Sequence, residues 1–160
     1  MITIERARSE DADEIRDVAY QSWRAAYRDI FTLDFINDFF ARNFTDERLV
    51  SAILNDIFLV ARDGERIVAL AHAGTRDSIT TLYRLYALPD YWRSGVGGKL
   101  LDTLEATLTA HNVSQYQCFV QSKNEVGKQF YLKRGFTRAA ESDHEDEWCM
   151  VKKLTADSSQ

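Results

Sequence analysis

A strand that runs through a glycine-rich turn into a helix restricts a chain more than its average composition does, and residues 80–108 have that form. Residues 80–88 are rich in β-branched and aromatic side chains and stop at Pro89, the single proline of the chain. Three glycines, Gly95, Gly97 and Gly98, then fall within four positions, and Val96, Leu100, Leu101, Leu104 and Leu108 recur at helical spacing. The first turn of a helix carries backbone N–H groups with no partner inside the helix, at the positive end of its dipole, and glycine lets a ligand approach them. The stretch therefore reads as a cradle for a phosphate or pyrophosphate, or else as a plain strand-to-helix connection loosened by glycine.

Two common phosphate loops do not fit. A P-loop needs glycine five residues before Gly-Lys and Ser or Thr after it, and here Arg93 and Leu100 hold those places. The dinucleotide fingerprint G-x-G-x-x-G lacks its third glycine, because Leu100 follows Gly95-Val96-Gly97-Gly98-Lys99. About 30 residues downstream, Asn124-Glu125-Val126-Gly127-Lys128-Gln129-Phe130-Tyr131-Leu132-Lys133-Arg134-Gly135-Phe136 reads as a short helix between strands. Asn124 is its N-cap, Lys133 and Arg134 favour the C-terminal dipole, and Gly135 stands at C′.

These two segments resemble the GNAT superfamily of acyl-CoA N-acyltransferases. Gly95-Val96-Gly97 aligns with that family's pyrophosphate loop, Q/R-x-x-G-x-G/A, with Trp92 in the Q/R place and Arg93 beside it. Residues 124–136 follow its second motif, N-x-x-A-x-x-F-Y-x-x-x-G-F, with Gly127 replacing alanine at a cost to the helix of about 1 kcal/mol. The stretch Ser22-Trp23-Arg24-Ala25-Ala26-Tyr27 also looks like the first helix of many family members. The resemblance implies an α/β (α+β) fold: a mixed, mostly antiparallel central sheet, helices on both faces, and a splayed pair of parallel strands for the cofactor. It implies one acetyltransferase domain over residues 1–154; residues 155–160 are polar and read as a flexible tail.

Bulk properties set the wider frame. A length of 160 residues suits one domain, and 45% hydrophobic residues supply a core. A net charge of −5 argues against a nucleic-acid partner and suits a cationic acceptor. Cys118 and Cys149 lie in strand-like segments without metal spacing, so they read as reduced core residues and no metal is expected. The chain shows neither the apolar run of a signal peptide nor a stretch long enough to span a bilayer, which points to a cytoplasmic protein.

Along the chain, residues 2–7 alternate as a strand, and Ser9 is a plausible N-cap for a helix to about Tyr27. Thr32 and Thr45 are N-caps for two more helices. Trp23, Tyr27, Phe31 and Phe35 lie at near-helical intervals with a break, and serve either the core or the wall of an acceptor pocket. Residues 57–62 and 66–75 form a hairpin about Asp63-Gly64, residues 116–121 a further strand, and residues 136–140 and 147–152 the closing pair. The acidic loop between that pair, residues 141–146, is either a solvated hairpin or a cation-attracting rim.

The resemblance also implies chemistry. Acetyl-CoA is the co-substrate. Its pantetheine arm pairs with backbone at Leu85, Tyr86 and Ala87, and its pyrophosphate sits on the amides of Arg93, Ser94, Gly95, Val96, Gly97, Gly98 and Lys99. Asn124 and Lys128 line its distal side, and Tyr131 is the general acid toward the departing thiolate, a phenol with an ordinary pKa near ~10. Trp23, Tyr27 and Tyr83 are the acceptor contacts. Strand residues 80–87 carry no carboxylate, so no base is assigned; His72, His144 and a water relay through Tyr83 remain open. The expected reaction is acetyl transfer to the primary amine of a small molecule such as a polyamine or amino acid. Peptide acetylation and a catalytically decayed acyl-CoA sensor are the alternatives, and homodimers are frequent in the family.

Overall fold

Residues 1–154 are described by a computed structural model; the tail expected at residues 155–160 lies outside them. In order they form β1 (Ile2–Arg6), α1 (Ala12–Ala26), α2 (Leu33–Asn43), α3 (Asp46–Asn55), β2 (Ile57–Asp63), β3 (Arg66–Arg76), β4 (Ile79–Ala87), α4 (Val96–Ala110), β5 (Gln115–Gln121), α5 (Glu125–Lys133), β6 (Thr137–Arg138) and β7 (Glu147–Lys153). The strands make one sheet ordered β1-β2-β3-β4-β5-β7-β6, antiparallel except for β4 and β5. Residues Ile67, Val68, Ala69, Leu70, Ala71, His72 and Ala73 are all buried, as a strand covered on both faces requires. Leu100, Leu101, Leu104 and Leu108 of α4 are buried in the core on one side of the sheet; Ile15, Val18, Ala19 and Trp23 of α1 are buried against β3 and β4.

Local chemistry sets the element ends. Thr32 and Thr45 accept from the amides of Phe35 and Arg48 at 3.1 and 3.2 Å, so both act as N-caps. Ser9 does not cap α1. A 3-10 turn, Ser9–Asp11, comes first, and the Asp11 carboxylate accepts from the Arg8 amide at 2.8 Å and from Arg62 Nη2 at 2.9 Å. Two polar anchors outweigh one serine hydroxyl there. The strand expected over 136–140 shrinks to Thr137–Arg138, because the 3-10 turn Ala140–Ser142 follows and Asp143 turns back to accept from the Cys149 amide at 2.8 Å.

The sheet opens where the site lies. β4 and β5 pair only through Thr81 with Gln117 and Leu82 with Cys118; beyond those residues the two strands diverge. On its other edge β4 stays paired to β3, with Leu85 opposite Ala71, Tyr86 opposite Leu70 and Ala87 opposite Ala69. A register shift leaves Tyr83 unpaired between Leu82 and Arg84, a β-bulge that sharpens the local twist just as the splay begins. Among the described residues no helix is long and apolar enough to cross a membrane.

Candidate active site

The glycine stretch forms the floor of the splay. After the 3-10 turn Pro89–Tyr91, Arg93 adopts φ 64° and Gly95 φ 87°, so the chain enters α4 through two left-handed residues. The first helical bond runs from the Lys99 amide to the Gly95 carbonyl at 3.1 Å; ahead of it lie the amides of Gly97 and Gly98, and that of Val96, which donates to Ser94 Oγ at 3.4 Å. The three glycines have different reasons to be there. A Cβ on Gly95 would meet nothing within 4 Å, so its backbone angle is the requirement. Gly97 and Gly98 lie against α5: a Cβ there would come to 3.2 Å from Phe130 and 3.0 Å from Arg134. Their small size brings α4 and α5 together, and the amides at the head of α4 stay with the cradle.

Trp92, in the place of the family's Q/R, is exposed, and its indole N–H donates to the Ala87 carbonyl at 2.9 Å. It therefore occupies a backbone acceptor at the end of β4 that sequence reading assigned to pantetheine.

A cluster of hydroxyls faces the splay. Tyr131 on α5 packs edge-on to Phe130 and Phe136, with centroids 5.3 and 5.1 Å apart. Burial pushes its phenol well above the usual tyrosine range, and the nearby Cys118 thiol and the Tyr27, Tyr116 and Tyr86 hydroxyls add to the rise. Burial pushes Tyr27 up to about 12 and raises Tyr86 as well. All three phenols are thus neutral proton donors near pH 7. Asn124 binds this group to the helix: its Oδ1 accepts from the Gly127 amide at 2.9 Å while its Nδ2 donates to the Tyr27 hydroxyl at 3.4 Å. A Cβ on Gly127 would lie 2.8 Å from Asn124 Nδ2, which explains glycine where the motif carries alanine.

Trp23, Tyr27, Phe31 and Phe35 pack in that order, tilted at 4.6 Å between Trp23 and Tyr27 and at 5.4 Å between Tyr27 and Phe31, and stacked at 4.5 Å between Phe31 and Phe35. The column crosses the break between α1 and α2 and runs from buried Trp23 to exposed Phe35, so it is core at one end and wall at the other. The buried Trp23 indole N–H lies beside the Tyr86 hydroxyl without a well-formed hydrogen bond. An open cleft of about 460 Å³ continues from this column, lined by Tyr20, Arg24, Arg28, Phe31, Ile36 and Pro89.

The remaining residues singled out in the sequence fall elsewhere. Tyr83 turns to the His72 ring, 5.1 Å away, and to the Arg76 guanidinium. The Lys128 ammonium donates to the Ser122 carbonyl at 2.6 Å, pairs with Glu125 at 2.8 Å and sits 4.1 Å over the Trp148 ring, so its charge is held by the β5–α5 corner. His72 is buried, hydrogen-bonded to Asp56 at 2.8 Å; burial first, then the Arg84 and Arg76 charges, depress it to about 4 against the pull of Asp56. It is neutral at pH 7 and its Nε2 is engaged with Asp56.

Two groups escaped sequence reading. Arg84 stacks its guanidinium 4.3 Å over Phe44 beside the Tyr86 hydroxyl and 3.4 Å from His72 Nδ1, and burial lowers its pKa; among the described residues it makes no ion pair. Glu147, the first residue of β7, lies opposite Gln121 at the end of β5. Both read in sequence as ordinary strand residues; only the splay and the sheet order bring them to the site.

A model of the acetyltransferase (GNAT) family matches residues 16–136. The chain belongs to this family. As a GNAT protein it is an acyl-CoA-dependent acetyltransferase, and its single parallel pair, β4 with β5, is the splay of the family fold. The chain is 27% identical over 158 residues to the spermidine N(1)-acetyltransferase of Thermoplasma acidophilum, covering 95% of this chain and 97% of that protein. It is 28% identical over 129 residues to the uncharacterized N-acetyltransferase YuaI of Bacillus subtilis, covering 78% and 74%. Among solved structures, the PaiA N-acetyltransferase of T. acidophilum in complex with coenzyme A superposes with a TM-score of 0.92 at 24% identity, over 96% of this chain and 99% of that one. The ribosomal-protein-S18-alanine N-acetyltransferase of Escherichia coli gives 0.71 at 20% identity, over 100% and 99%. These superpositions establish the shared fold.

Proposed function

We propose that this GNAT acetyltransferase moves an acetyl group from acetyl-CoA to a primary amine of a small molecule, with a linear polyamine as the first acceptor class. The observation that carries the proposal is the convergence of the α4 amides, the unpaired edge of β4 and three neutral phenols on one opening of the sheet. Similarity over nearly the whole chain to a protein named for spermidine acetylation supports the acceptor class.

In this reading the amides of Gly95, Val96, Gly97 and Gly98 receive the diphosphate, and the free edge of Leu85 and Tyr86 receives the pantetheine amides. Burial keeps Tyr131 protonated, and the same burial raises the basicity of a thiolate released beside it, so the phenol can hand over its proton as the C–S bond breaks. Trp23 and Tyr27 wall the path to the amine. A second acceptor class follows from Arg84: a half-buried guanidinium that has no carboxylate partner among the described residues suits an amine that also carries an acid, such as an amino acid.

Thiol release from acetyl-CoA with a panel of polyamines, amino acids and short peptides tests this directly. Turnover with polyamines is the expected result; turnover only with peptides, or acetyl-CoA binding with no turnover, would refute it.

A further inference from the structure

The amine arrives as an ammonium and must lose a proton before it can attack, yet β4 carries no carboxylate. Glu147 is placed to do this. On β7, Lys152 reaches Glu105 of α4 at 2.9 Å and Trp148 lies beneath Lys128 of α5, so the even-numbered residues face α4 and α5. The strand period then turns Glu147 to the opposite face, where the α1 end stands. It sits across from Gln121 at the open end of the splay. Its charge acts on the Tyr27 hydroxyl from α1 and on the Tyr86 hydroxyl from β4, the two phenols that border Tyr131.

Nothing in the fold employs this carboxylate. Among the described residues it has neither an ion pair nor a hydrogen-bond donor, whereas Asp143, Glu125 and Glu105 nearby are each paired. The cations close to β7 are committed elsewhere: Lys128 to Ser122 and Glu125, Arg138 to Asp143. The groups that face Glu147 are Tyr27, Tyr86, His144 and Glu145. Glu147 is exposed at the rim of the opening; desolvation by its neighbours raises its carboxyl pKa, His144 opposes that rise and Glu145 adds to it. A carboxylate with no partner at the rim of the opening draws an ammonium, and the direction of its pKa shift makes it a stronger base than a free one.

We infer that the Glu147 carboxylate receives the acceptor ammonium and takes one of its protons, so that the freed nitrogen lone pair attacks the thioester carbon. The inference rests on the amine-acetyltransferase reading above and adds to it the residue that binds and deprotonates the acceptor. One nitrogen proton passes to Glu147, and the lone pair this frees then forms the C–N bond. The C–S bond then breaks with a proton from Tyr131 to sulfur, the second nitrogen proton restores the phenol, and Glu147 releases its proton to water. The net change is ammonium plus thioester to amide, thiol and one proton. A carboxylate is far less basic than an amine, so the transfer is uphill by itself, is drawn forward by the attack that follows, and needs Glu147 ionised.

The test is acetylation of spermidine by the full chain as a function of pH, in the wild type, Glu147→Gln and Glu147→Asp, with acetyl-CoA affinity measured alongside by calorimetry. Glu147→Gln should lose roughly 100-fold in kcat/KM and the acidic limb of its pH profile, with acetyl-CoA affinity unchanged. Glu147→Asp should keep the limb at an intermediate rate. Equal kcat/KM and the same limb in wild type and Glu147→Gln would overturn the inference while leaving the amine reading intact. A wild type that binds acetyl-CoA but acetylates no amine would overturn both.

Discussion

Tyr131 stands among three other phenols and a thiol, and that company decides what it can do. Every neighbour is neutral near pH 7, so a tyrosinate there is desolvated and unsupported, and the hydroxyl is held as a donor. Tyr131→Phe removes one buried hydroxyl and keeps the ring contacts with Phe130 and Phe136. Maximal rate should fall by roughly 100-fold or more while acetyl-CoA affinity changes little, which single-turnover kinetics with a binding titration will check. His72 supplies a second prediction of a different kind. Burial depresses it from 6.5 to about 4, so between those values the unfolded chain takes up a proton that the folded chain does not. The stability it contributes is present above pH 6.5 and is lost as pH falls toward 4, by about 3 kcal/mol. Denaturant midpoints at pH 7 and pH 5 should therefore differ, and His72→Gln should flatten the difference; an unchanged slope in that variant would assign the effect to other groups.

Elements explain what the sequence could and could not disclose. The β4–glycine–α4 unit and the α5 motif were legible because their signals are local: glycine where φ is positive, an asparagine cap, a leucine stripe. The Thr32 and Thr45 caps were legible for the same reason. Ser9 misled because its rival, Asp11, owes its role to Arg62, 51 residues away. The short β6 was overread because Asp143 reaches back to the Cys149 amide, a tertiary contact with no local mark. Arg84 and Glu147 were invisible as site residues, since each depends on which strands neighbour the splay. Gly97 was credited to ligand approach, yet its lack of a Cβ serves contact with Phe130. At Gly95 backbone geometry, not space, disfavours a side chain, so Gly95→Ala should cost about 1–2 kcal/mol of stability and weaken coenzyme A binding, with no clash to relieve. Gly97→Ala should act through Phe130 instead, and Phe130→Leu should rescue it but leave Gly95→Ala unchanged, as paired thermal and binding titrations will report.

At the scale of the whole molecule the sheet is two sheets joined at a narrow seam. β1, β2, β3 and β4 form one ladder and β5, β7 and β6 another, and only Thr81–Gln117 and Leu82–Cys118 join them in register. Below that seam the backbone edges of β4 and β5 face each other without closing hydrogen bonds, an opening that a folded protein retains only when something else satisfies those groups. A coenzyme A molecule lying in the opening would bond to the β4 edge and the α4 amides on one side and cover the β5 and α5 side on the other. Binding would then stabilise the seam as well as the cradle. At 100 times its Kd, a ligand that binds only the folded state adds about 2.7 kcal/mol, which for a domain of this size raises Tm by roughly 5–10 °C. The location of the protection discriminates more sharply than its size. Hydrogen exchange with coenzyme A present should slow at the amides of residues 85–87 and 95–98 and also along β5 at residues 119–121, on the far side of the seam. Protection confined to the glycine turn would mean that the diphosphate binds without the pantetheine arm entering the splay, and the position assigned to the thioester beside Tyr131 would be wrong.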